Sequence, residues 1–182
     1  MITRIVITGG PASGKTDFFE RLKKIPDFKE FAFLDELARW LLKSRPSLRE
    51  DPLELHRQIY LAQVARENEL AGRSFIADRG TVDTRAYVPE IFKLVGTTRE
   101  KEYRRYDAVI QLQTSAVLGA DFFIPDGIRR ESVAQALELE KKLIKNWGNH
   151  PVYYYVNAEN DPELKFDKFL KLLYDIIENR FK

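Results

Sequence analysis

A lysine and a hydroxyl residue follow three glycines in ITGGPASGKTDFF, residues 7–19. Gly9, Gly14, Lys15 and Thr16 keep the spacing G-x-x-x-x-G-K-[ST], with Gly10, Pro11, Ala12 and Ser13 enclosed and Asp17 next in line. That spacing suits phosphate. Glycines let successive backbone N–H groups turn inward and form a nest for anionic oxygens. A helix starting at Thr16 adds unsatisfied N–H groups and the positive end of its dipole. Lys15 would reach the β- and γ-phosphates, and Thr16 would offer its hydroxyl to Mg²⁺. A plain glycine turn with a surface lysine would show the same letters. The position after an apolar run and before a helix favours the phosphate-binding loop. The loop implies ATP, with GTP as the alternative, and does not say what becomes of the phosphate.

Phosphoryl transfer also needs an acidic group near the metal and a group that orients the nucleophile. Two strand ends supply carboxylates, in FLDE (Asp35, Glu36) and IADRG (Asp78). Asp78 is the candidate for the metal side, and a helix cap is its other reading. Glu36 is the candidate general base on a substrate hydroxyl, or else a first-turn glutamate favoured by the helix dipole. Asp35 reads as an N-cap. Arg79 adjoins Asp78, close enough to bond transferring phosphoryl oxygens. Arg129 and Arg130, in DGIRRES, stand where an irregular segment meets a helix. Arginines on such a lid would add charge over the γ-phosphate and exclude water; a solvated basic pair beside Glu131 is the alternative. Arg39 divides between a surface ion pair and substrate positioning. Asp83 and Tyr87, four apart on one helix face, would contact the acceptor or else serve as a cap and a core edge.

These residues need a sheet to bring them together. RIVIT (4–8), FAFL (31–34), SFIAD (74–78), DAVIQLQ (107–113) and PVYYYV (151–156) read as strands. Helices are expected at 16–24, 35–44, 52–71, 81–96 with a kink at Pro89, 131–147, and from Pro162 onward. The helix at 131–147 should bury Val133, Ala136, Leu137, Leu143, Ile144 and Trp147. The last helix should bury Phe166, Phe169, Leu170, Leu173, Ile176 and Ile177. The alternation predicts a three-layer α/β fold, a parallel five-stranded sheet with helices on both faces. In such a sheet both carboxylate-bearing strand ends fall at the carboxyl edge, beside the glycine loop. Residues 1–182 read as one domain, with a lid at about 114–132.

Composition narrows the function. Lys+Arg 30 against Asp+Glu 28 gives a net charge of +2, without the basic excess of a nucleic-acid binder. With no Cys and two His, Cys-ligated zinc is excluded and a His-rich metal site disfavoured. The N-terminus lacks a signal-peptide pattern and no stretch approaches a membrane span, so a soluble cytoplasmic protein is expected. No N-K-x-D guanine motif follows a strand; VNAEN (156–160) is where base contacts would fall.

RIVITGGPASGKT, DELARWL, DRGTVDTRAY and DGIRRES…ALELEKKLIKNWG resemble the AAA_28 family of small P-loop proteins, close to the ribosylnicotinamide-kinase domain of the NadR type. The likeness spans almost the whole chain. LDELARW is also similar to the segment of deoxynucleoside kinases whose glutamate is the catalytic base, although Asp35 stands where those kinases have proline. The resemblance implies strand order 2-3-1-4-5 and a P-loop fold of the nucleoside- and nucleotide-kinase type. It assigns Glu36 as base, Asp78 to magnesium, and Arg79, Arg129 and Arg130 to phosphate. It implies an ATP- and Mg²⁺-dependent kinase acting on a small molecule. It also permits a nucleotide-hydrolysing switch with a protein or lipid partner. The chain shows neither a second Walker-type motif of the hhhhDE form nor an arginine-finger region, so the family label does not imply a hexameric motor.

Overall fold

A computed structural model describes residues 2–123 and 131–179. Parallel strands β1 (Arg4–Gly9), β2 (Ala32–Leu34), β3 (Phe75–Asp78), β4 (Ala108–Leu112) and β5 (Tyr153–Val156) form a five-stranded sheet in the order β2-β3-β1-β4-β5. This is the expected order. The central strands are apolar because both faces are covered. Ile5, Val6, Ile7, Ile76, Ala77, Val109 and Ile110 have no exposed surface.

Helices α1 (Lys15–Leu22), α2 (Leu37–Ser44), α3 (Pro52–Glu69), α4 (Thr84–Tyr87), α5 (Ile91–Leu94), α6 (Arg99–Tyr103), α7 (Val133–Trp147) and α8 (Pro162–Asn179) complete the described fold. On one face of the sheet Phe18, Phe19 and Leu22 from α1 meet Phe166, Phe169 and Leu173 from α8. On the other, Trp147 and Leu143 of α7 pack with Tyr103, Tyr106, Val82 and Tyr60. Strand β1 is shared, with Ile5 and Ile7 toward the first core and Val6 toward the second, as the period of two requires.

Several expectations are corrected. Helix α2 starts at Leu37. Glu36, not Asp35, holds its N-cap position, its side chain making no bond to the helix N–H groups, while Asp35 pairs with Lys23 at 2.5 Å. The stretch 81–96 is no continuous helix. A 3₁₀ turn at Thr81–Asp83, α4 and α5 are separated at Val88–Glu90, because Pro89 has no N–H and biases Val88 to extended backbone. On α7, Ile144 is exposed, and Leu139 and Glu140 occupy the buried stripe instead. Ser132 caps α7 by a reciprocal pair of bonds with Gln135. The irregular segment after β4 holds two 3₁₀ turns, Ser115–Leu118 and Ala120–Phe122. Among the described residues no helix is long and apolar enough to cross a membrane.

Candidate active site

The loop between β1 and α1 carries three positive φ angles, at Gly9 (148°), Ala12 (54°) and Gly14 (87°). Only at Gly9 is a side chain sterically impossible: a Cβ would lie 2.3 Å from the Leu112 carbonyl. The path turns Lys15 back over its own loop. Its buried ammonium donates to the Gly9 carbonyl (2.8 Å), the Gly10 carbonyl (2.9 Å) and Ser13 Oγ (3.0 Å). Thr16 is exposed in the first turn of α1. Asp17 is also exposed, with Arg21 3.6 Å away.

Three residues that sequence reasoning missed brace this loop from behind. Glu140 accepts from the Gly10 N–H (3.2 Å), from Gln111 Nε2 (2.8 Å) and from Tyr155 OH (3.0 Å). Lys165 of α8 donates to the Ser13 carbonyl (2.8 Å) and the Gln113 carbonyl (2.6 Å). Burial pushes its ammonium down to about 8, against the pull of Glu140 and Glu159. Thr114 donates to the Pro11 carbonyl, and the Ser115 N–H to Ala12 (3.1 Å). The start of the expected lid is therefore tied to the phosphate loop. A charged residue inside an apolar helical stripe is the signal that would have found Glu140 and Lys165. Of the VNAEN segment, the Ala158 N–H is held by Gln113 Oε1 (2.8 Å) and Glu159 pairs with Lys168 (2.5 Å).

Asp78 ends β3, beside β1 at the carboxyl edge. It is 4% exposed and its Oδ1 has no hydrogen-bond partner among the described residues. Burial, with the Glu36 charge nearby, pushes its carboxyl up to about 6, against Lys15 and Arg79. A buried carboxylate with an orphaned oxygen, next to a lysine loop and an exposed Thr16 hydroxyl, fits an incoming divalent cation. Among the described residues no cluster of three His, Cys, Asp or Glu could hold a metal alone. A magnesium ion here would draw further ligands from phosphate oxygens and water.

Arg79 follows with φ 75°, uncommon for a non-glycine residue. Its guanidinium bonds Glu36 Oε1 (3.0 Å), Asp83 Oδ1 (3.2 Å) and the Gly9 carbonyl (3.3 Å). Asp83 is buried and fully engaged. Besides Arg79 it accepts from Thr8 Oγ1 (2.5 Å), the Gly80 N–H (3.0 Å) and Trp147 Nε1 (3.0 Å). It lines the cavity, but its oxygens hold Arg79 and the turn, which is the cap-like alternative for this position. Arg39 stands near Glu36, Nε to Oε2 4.0 Å. Arg129 and Arg130 lie outside the described residues.

A cavity of about 550 Å³ opens beside this cluster, a volume suited to a small ligand. Glu36, Asp78 and Arg79 line its phosphate-loop end, and Arg39, Tyr87, His56 and Gln63 its walls. His56 stacks on Tyr87, ring centroids 4.5 Å apart. Burial, with the Arg79 charge, pushes the imidazole down to about 4, and its Nδ1 has no hydrogen-bond partner among the described residues. Glu131 and Gln135, at the start of α7, close one side, and Glu131 Oε2 is also unpartnered among the described residues. The buried face of α3 joins Leu55 and Tyr60 to polar His56, Gln63 and Glu67.

The model of the AAA_28 family, an AAA domain, matches residues 4–163. No curated protein matches the chain. Among solved structures it is similar to deoxyadenosine kinase from M. mycoides with the products dCMP and a flexible dCDP bound. That likeness has a TM-score of 0.66 at 13% identity, over 95% of this chain and 100% of the other. The same kinase with dATP bound gives a TM-score of 0.65 at 15% identity, over 94% and 99%. At these identities the likeness establishes a P-loop fold of the nucleoside-kinase type.

Proposed function

The chain belongs to the AAA_28 family, and on that premise we propose that it is a Mg²⁺- and ATP-dependent phosphotransferase. Its acceptor is a small molecule bearing a hydroxyl or phosphate: a nucleoside, a nucleotide or a related vitamin. The observation that carries this is the Glu36–Arg79 ion pair, 3.0 Å long, set between the phosphate loop and the cavity. Nucleoside-kinase neighbours and the family match support ATP-dependent chemistry.

The loop N–H groups and Lys15 hold the β- and γ-phosphates, Lys15 exchanging its loop carbonyls for phosphate oxygens. Magnesium, when bound, neutralises charge on the phosphates, with Thr16 and Asp78 as its protein side. Glu36 takes the proton as the acceptor O–H breaks. The acceptor oxygen bonds the γ-phosphorus while the β–γ bridging bond breaks and ADP leaves. Arg79 bonds the transferring oxygens and orients Glu36. Its strained backbone is held by Asp83, which keeps the guanidinium aimed at the site before substrate arrives.

Glu36→Gln tests this. It should lower kcat more than tenfold and leave Mg-ATP affinity nearly intact, because a base acts in the transition state. An unchanged rate, or no turnover with any nucleoside, nucleotide or vitamin-like acceptor, would overturn the proposal. Nucleotide-dependent capture of a protein or lipid, with no phosphorylated small product, would favour the hydrolytic switch instead.

A further inference from the structure

The opposite edge of the sheet carries a second cavity, of about 480 Å³. It lies at the strand starts, between the α3–β3 turn and the α6–β4 turn. Five cations line it: Arg4, Arg73, Lys101, Arg104 and Arg105; Glu67 is its single carboxylate. Two of the cations are fixed in place. Arg4 Nε bonds Asp107 Oδ2 (3.1 Å), and Arg105 Nε bonds the buried Glu67 Oε2 (2.6 Å). Arg73, Lys101 and Arg104 are exposed, and their side chains make no ion pair or hydrogen bond among the described residues. Setting Glu67, Asp107 and Glu102, the last 3.9 Å from Arg105, against the five cations leaves two positive charges in excess.

A chain with a net charge of only +2 concentrates this excess in one concave place. Like charges so gathered repel, and an anion of matching charge relieves the repulsion. Guanidinium groups favour phosphate, whose oxygens accept paired N–H donors. The held arginines reduce the ordering cost of binding. We propose that this cavity is a second anion site, taking a small compound with at least two phosphate groups and standing apart from the phosphate loop. A volume of about 480 Å³ suits a small anion, and a net charge of only +2 argues against the extended basic surface that a nucleic-acid backbone needs.

Magnesium-free pyrophosphate titrated into the full chain, followed by NMR of arginine Nε–H and loop amide signals, tests the site by location. Arg73, Arg104 and Arg105 signals should shift and saturate independently of the Gly10 amide. The double substitution Arg73→Gln with Arg104→Gln should weaken the Arg105 response at least tenfold while loop binding persists. Both residues are exposed and unpaired, so the fold should tolerate the change. Shifts confined to the loop, or arginine shifts that never saturate, would overturn the proposal. Equal affinity for citrate would overturn the phosphate assignment. Tighter binding of a short DNA oligonucleotide than of pyrophosphate would overturn the small-anion assignment.

Discussion

Two carboxylates touch Arg79 from opposite sides, and the structure gives them different work. Replacing Asp83 by Asn separates them. Asp83 Oδ1 receives Thr8 and Arg79, and Oδ2 receives the Gly80 N–H and Trp147 Nε1. An asparagine has one carbonyl oxygen, so in either flip its NH₂ faces two donors. Two buried bonds to an ionised acceptor are lost, each contributing about 1.5–3 kcal/mol. Arg79 also loses its buried counter-charge on that side, although Glu36 remains. The sum is about 3–5 kcal/mol, a large share of a total of roughly 5–15 kcal/mol for a domain of this kind. Glu36→Gln keeps an oxygen acceptor for Arg79 Nε and leaves Arg79 bonded to Asp83 and Gly9, so it should cost less, about 1–2 kcal/mol. Urea unfolding followed by circular dichroism measures both at pH 7. Stability loss should be larger for Asp83→Asn than for Glu36→Gln, with the order reversed for loss of kcat per folded molecule. If Asp83→Asn unfolds within about 0.5 kcal/mol of the parent, the assignment of Asp83 as the brace of this turn is wrong.

His56 is neutral at pH 7, and its folded value of about 4 lies below the ordinary 6.5. The unfolded chain therefore binds the extra proton, and this contribution to stability is lost as pH falls from about 6.5 to about 4. It amounts to roughly 3 kcal/mol when fully lost. Asp78 and Glu67, raised by burial, act in the opposite sense. They are common to the parent and a His56→Gln variant, so the parent's stability relative to the variant should fall by roughly 3 kcal/mol as pH drops from about 6.5 to about 4; a pH-independent difference refutes this. Lys165 should titrate near 8 by its ¹³Cε resonance, below the ordinary 10.5 of a lysine. A value above 10 would show that its burial against the loop carbonyls is wrong. Gly9→Ala places a methyl 2.3 Å from the Leu112 carbonyl at φ 148°. It should cost more than about 3 kcal/mol and abolish nucleotide binding, and normal melting with intact affinity would contradict the loop geometry.

The layered architecture was readable because each strand is a short, largely apolar run, three of them ended by glycine or acid, and because the alternation with helices leaves few topologies. The strand order came from resemblance, since periodicity carries no lateral information. Helix α6, REKEY, escaped notice because a single turn and a half of charged residues has no apolar period. The stripe on α7 was misjudged at Ile144 because the pattern was read as wholly apolar; the helix spends one inward place on Glu140 to hold Gly10. At the candidate site, the phosphate loop, Glu36, Asp78 and Arg79 stand out in the sequence because their chemistry is tied to strand ends, and the structure brings them together. Glu140, Lys165 and Gln63 were not, because each acts through a distant backbone or side-chain group that spacing does not reveal.

Helix α3 has one more property worth following. Its inward side chains run from His56, in the wall of the 550 Å³ cavity, through Gln63 to Glu67, on the floor of the basic one. Gln63 donates to Glu67 (2.8 Å), and Tyr106 OH joins Glu67 (2.8 Å) to the Thr81 N–H (2.7 Å), two residues past Arg79. Eleven residues of helix make a rod of about 16 Å. A ligand that tilts this rod at one end displaces the wall of the other compartment, and thermodynamic reciprocity then makes the two occupancies report on each other with equal free energy.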